Sequence, residues 1–101
     1  MAFDMHAGEE HDRIEHSEES MLSLAGKTRA RYPRLTAIWT RFYDDPCIEV
    51  EEAGALVLEL QDLLASNGGA SNRHLAATVA RLSRFFGDAH RDGRRIQCLS
   101  D

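Results

Sequence analysis

The stretch FDMHAGEEHDRIEHSEES, residues 3–20, places three histidines and seven carboxylates in eighteen positions beside a single arginine. Imidazoles and carboxylates at that density can ligate a divalent metal or move protons. Their spacing limits both. His6, His11 and His16 follow one another at five-residue steps. On a helix that step turns through about 500°, leaving successive side chains about 140° apart. On a strand an odd step sends them to opposite faces. The zinc-protease pattern needs two histidines four apart with a glutamate between them, and this stretch has none. One arrangement gathers two of the three: a hairpin centred near His11 makes His6 and His16 cross-strand neighbours, with Glu15 or Glu18 beside them to hold zinc. Otherwise the segment is a solvated strand face, and the spacing favours that reading.

The remaining chemistry-bearing residues are more scattered. Cys47 stands near Asp45, but no histidine lies near it in sequence, so a nucleophile–base pair requires His74 or His90 to arrive by folding. YDDPCIEVEE is rich in carboxylates yet lacks the alternating ligands and turn glycine of a calcium loop. SNGGASN has neither the preceding strand nor the lysine of a phosphate loop. Trp39, Phe42 and Phe86 fall at core-facing helical positions, while Tyr43 and Phe85 sit next to the stripes as candidates for exposure. Cys47 and Cys98, fifty-one residues apart and without metal spacing, leave a disulfide open, but with no secretory leader the favoured reading is two free and mostly buried thiols. The expectation is a chain that is not an enzyme and carries no cofactor.

Any such residues must be positioned by a chain of 101 residues, one domain's worth, with 43% hydrophobic and 29% charged side chains. No run approaches the ~20 apolar residues of a membrane span. The acidic start lacks the apolar core of a secretory leader, which makes a cytoplasmic location the expectation. Apolar residues at Met21, Leu24, Ala25, Thr28 and Tyr32 predict a helix over 18–32, capped by Ser17 and stopped by Pro33. Pro33 opens a second helix with Leu35, Ile38, Trp39 and Phe42 on one face. DDPCIEV breaks the pattern. A third helix over 49–65 follows, with Ala53, Leu56, Val57, Leu60 and Leu64 aligned and Leu58 and Leu63 widening the stripe. After the loop at 66–72, a fourth helix over 72–91 carries Leu75, Val79, Leu82, Phe86 and Ala89, with Gly87 a weak point inside it. Period-two alternation at 3–7, a return strand at 13–16 after a turn at 9–12, and alternation at 95–99 predict three short strands. The expected fold is α+β: a four-helix core with a small sheet formed by the N- and C-terminal strands.

Charge arrives in blocks. Residues 1–20 hold seven acids and one base, and 27–41 hold five bases and no acid. Residues 44–62 hold seven acids and no base, and 73–95 hold six bases and two acids. The chain is net −5. Neighbouring helices of opposite sign attract across a bundle, yet the acidic surplus leaves a negative face. Such a face argues against nucleic acid or an anionic membrane as the main partner and suits a basic protein surface.

The segments YPRLTAIWTRFYDDPCIEVEEAGALVLELQDLL and RLSRFFGDAHRDGRRIQCLSD resemble a loose group of small bacterial proteins of unknown function. The resemblance spans residues 13–101. That group pairs a proline-started helix ending in an aromatic pair with a leucine-rich helix and a C-terminal strand bearing cysteine. Some such groups look like immunity proteins for secreted toxins. The resemblance implies a class and transfers no catalytic residue. The sequence therefore points to a small acidic protein that acts by binding another protein, immunity-like or regulatory. Asp44, Asp45, Glu49, Glu51, Glu52, Glu59 and Asp62 would steer a basic partner and Tyr43 would anchor it. The alternatives are a nucleic-acid-associated regulator using Arg73, Arg81, Arg84 and Arg91 of the fourth helix, and a metal-binding protein using the N-terminal histidine and glutamate segment.

Overall fold

The computed structural model describes residues 3–41 and 44–100. Phe42 and Tyr43, placed by the sequence in the core and at a binding anchor, lie outside the described residues. Within them the chain forms a four-stranded antiparallel sheet and four α-helices, an α+β fold. The strands are β1 (Phe3–Ala7), β2 (Glu10–Ile14), β3 (Cys47–Ile48) and β4 (Ile96–Ser100). The helices are α1 (Glu19–Gly26), α2 (Pro33–Thr40), α3 (Val50–Ser66) and α4 (Arg73–Arg91).

The sheet order is β2-β1-β4-β3, so the two ends of the chain pair at its centre. Phe3, Met5, Ala7, Ile14, Ile48, Ile96 and Cys98 alternate onto one face and are buried against the helices. The other face is open, with His6, His11, Arg13 and Gln97 exposed on it beside the apolar Leu99. Leu22, Leu35, Leu56, Leu60, Leu82 and Phe86 complete the core from the helical layer. No described helix is long and apolar enough to cross a membrane.

Several elements differ from expectation for local reasons. The first hairpin turns on two residues, Gly8 and Glu9, and Gly8 takes φ +63°, which a tight two-residue turn requires. The return strand therefore begins at Glu10, and His11 rather than His16 faces His6. Residues 15–18 instead form a short 3-10 turn capped by Glu15, whose carboxylate and that of Glu18 cap one another's backbone, displacing Ser17 from that role. α1 ends at Gly26 because residues 27–31 are all exposed and offer no apolar face to bury. The DDPCIEV break contains β3, whose Cys47 and Ile48 pair with Gln97 and Ile96. α4 runs through Gly87 without breaking; a Cβ there would meet Val57 Cγ2 at 3.9 Å, ordinary contact with α3. Phe85, a candidate for exposure, is buried, while Trp39 is 38% and Leu58 69% exposed.

Candidate functional surface

The cross-strand register decides what the histidines can do. His6 and His11 stand opposite one another on the open sheet face, ring centroids 4.7 Å apart. His11 Nε2 lies 3.4 Å from Asp4 Oδ1, but that carboxylate is already held by Arg13 at 2.9 Å. His16 is in the 3-10 turn, 3.3 Å from Glu19. Among the described residues no three histidine, cysteine, aspartate or glutamate groups gather as a metal site. The remaining histidines are engaged with backbone: His74 faces the Ser17 carbonyl at 3.4 Å, and His90 Nδ1 donates to the Val50 carbonyl at 2.8 Å.

Cys47 lies on the open face beside the Arg95 guanidinium, which also donates to Glu49 at 2.9 Å. Cys98 points inward, and burial pushes its thiol up to about 12, where it is inert as a nucleophile. Both thiols are free.

The acidic residues of 44–62 divide by task. Glu59 accepts from the backbone N–H groups of Arg34 and Leu35 at 3.1 and 3.0 Å. It caps α2, whose own N-cap residue, Tyr32, makes no side-chain cap bond. Glu49 and Glu52 form a reciprocal capping box at the start of α3. Arg31 and the Tyr32 hydroxyl hold the Asp62 carboxyl below its ordinary range, with Arg31 Nη2 at 2.9 Å. Asp44, Asp45 and Glu51 are exposed. Glu51 makes no ion pair among the described residues.

The face that α3 turns to solvent holds a feature that the acid count missed. Glu51, Ala55, Leu58, Asp62 and Ala65 recur at steps of four and three, one side of a helix. Leu58 stands at the centre, with the small Gly54 and Ala55 one turn before it, the polar Gln61 and Asp62 one turn after it, and Glu51 towards the start of the helix. Its place beside the core stripe suggested burial, but α2 and α4 cover the other sides of α3. They leave this one bare.

α4 is less basic in effect than in sequence. Arg81 is consumed by Glu18 Oε2 at 2.8 Å, Asp12 Oδ1 at 3.0 Å and the Arg13 carbonyl at 2.7 Å. Arg91 is paired with Asp88 and Asp92. Compared with protein-family models, curated proteins and solved structures, the chain matches none.

Proposed function

We propose that the chain is a non-catalytic protein-binding module, of the immunity or regulatory kind, that occludes a basic surface on its partner. The observation that carries the reading is Leu58, 69% exposed at the centre of the bare face of α3. An exposed apolar side chain flanked by polar ones can enter a partner's pocket while the polar neighbours ring it, the usual arrangement of a central anchor within a polar rim. Glu51 supplies negative charge on the same face and Asp62 adds to it while paired with Arg31, and the exposed Asp44 and Asp45 before β3 would add to the longer-range field that steers a basic partner. Glu59, Glu49 and Glu52 serve the fold first, so steering falls to the others. Two arginines of α4 are spent on intramolecular pairs, which weakens the case for a nucleic-acid partner.

The test is capture of the partner from native lysate, followed by affinity measurement with variants whose circular dichroism is unchanged. Leu58→Arg should weaken binding at least about 30-fold, the scale of an anchor residue. Glu51→Lys should slow association and reduce its salt dependence. Unchanged affinity in both variants, or capture of nucleic acid alone, overturns the proposal.

A further inference from the structure

The open face of the sheet, turned away from the helical layer, carries a row of donor side chains across all four strands. In register, His11 of β2 faces His6 of β1, His6 faces Gln97 of β4, and Gln97 faces Cys47 of β3. Within that row the two imidazoles come together, their ring centroids 4.7 Å apart and their planes tilted by 31°.

The hairpin explains why they meet. Its turn holds Gly8 and Glu9, so Ala7 and Glu10 close it as a hydrogen-bonded pair. His6 and His11 follow as a non-hydrogen-bonded pair, the kind in which Cα atoms approach to about 4.5 Å and side chains stand closest. The same alternation turns the N–H and C=O of Arg13 to the outer edge of β2. There they are taken up by the Asp12 carboxylate and the Arg81 guanidinium, each at 2.7 Å, which pins the register.

Both rings are exposed, and among the described residues neither is hydrogen-bonded to backbone, unlike His74 and His90. Asp4 Oδ1, 3.4 Å from His11 Nε2 and anchored by Arg13 at 2.9 Å, is placed to accept the N–H of that nitrogen. A carboxylate in that position fixes the tautomer of a metal-binding histidine and leaves its other nitrogen, here Nδ1, as the base. The arginines of this face are neutralised: Arg13 pairs with Asp4, and Arg95 with Glu49 at 2.9 Å. Neither opposes the approach of a cation.

We propose that His6 and His11 together bind a late first-row divalent metal ion, zinc or nickel. Each neutral imidazole gives one lone pair, and water fills the remaining positions. A structural zinc site closes all four positions with protein, whereas this one leaves half of them open, so its ion exchanges with solvent. Magnesium and calcium take oxygen ligands, and the pair of nitrogens rejects them. The inference stands apart from the α3 proposal, because it uses the hairpin and the open sheet face alone.

The experiment is calorimetric titration of the intact protein with Zn²⁺ and with Ni²⁺, against Mg²⁺, together with NMR of the histidine ring protons during the Zn²⁺ titration. One saturable ion per chain is expected, with the His6 and His11 rings shifting together and no response to Mg²⁺. His6→Asn and His11→Asn should each weaken binding about 100-fold, the scale of the gain when two donors are held to one ligand. His16→Asn and Cys47→Ser should leave it unchanged. Should a histidine variant fail to fold, the ring shifts of the unaltered protein still decide. No saturation by either ion up to about 1 mM, the range of weak binding, overturns the proposal. So does Zn²⁺ that shifts other rings and not these two, or affinity that survives loss of either imidazole. Weakening by His16→Asn or Cys47→Ser as large as by His6→Asn also overturns it, because the ion would then be held elsewhere.

Discussion

Gly54 meets two opposed demands. A glycine inside a helix costs about 1 kcal/mol against alanine, so Gly54→Ala should stabilise α3 by that amount if nothing lay near it. The His90 ring lies near it: a Cβ at Gly54 would come within 2.8 Å of Cε1 and Nδ1. That ring also donates to the Val50 carbonyl at 2.8 Å, one of the links between the end of α4 and the start of α3. Because His90 is exposed, it can swing outward, and the loss is then one hydrogen bond, about 0.5–1.5 kcal/mol. The two effects nearly cancel. Gly54→Ala should therefore be close to neutral alone and stabilising by about 1 kcal/mol in a His90→Ala background, a coupling that a urea-denaturation mutant cycle reads directly. Additive single and double variants would show that the ring does not hold this position.

At the scale of elements, α2 depends on a residue far from it in sequence. Pro33 fixes the first turn, yet the N–H groups of Arg34 and Leu35 are satisfied by Glu59 on α3. Glu59→Ala should cost about 1–2 kcal/mol, as for loss of a helix cap, while Glu59→Gln, which keeps an accepting oxygen, should cost less. Equal urea midpoints for the two variants would show that the carboxylate does not cap. This contact also marks where sequence reading stops. The apolar periods of α3 and α4 located both helices to within a residue or so, because long amphipathic stripes bury themselves whatever their neighbours do. β3 escaped detection, since two residues carry no period and only β4 makes them a strand. The exposure of Leu58 was hidden for a related reason: a stripe shows which residues align, while the neighbouring helices decide which edge they cover. The acidic block was legible as charge but not as caps and pairs. Glu49 and Glu52, three apart before an apolar run, carried a local capping signature, whereas nothing near Glu59 in sequence announces the α2 terminus.

The whole molecule is held together by a polar clasp as well as by its core. Glu18, 6% exposed, receives hydrogen bonds from Thr78 at 2.9 Å, from Arg81 at 2.8 and 2.9 Å and from the Glu15 N–H at 3.0 Å. Arg81 reaches onward to Asp12 and the Arg13 carbonyl, so one guanidinium fastens the hairpin and the 3-10 turn to α4. Burial alone would raise the Glu18 carboxyl. The bonds from Arg81, Glu15 and Thr78 outweigh burial and lower it from 4.5 to about 2. A carboxyl depressed on folding contributes stability that is complete above its unfolded value and is lost as pH falls towards the folded one. The contribution is on the order of 3 kcal/mol, a large share of what a domain this size possesses. Folding stability from urea midpoints should therefore lose that contribution between about pH 4.5 and pH 2. In Glu18→Gln the protein should start less stable near neutral pH by a similar amount and show a shallower acid slope, because the amide has no proton to gain. Arg81→Gln should flatten the slope in the same way, since without the guanidinium burial raises the Glu18 carboxyl back towards its ordinary range. If Glu18→Gln keeps the full acid slope, the pH dependence belongs to the exposed carboxylates, and the clasp does not govern how the hairpin is held to α4.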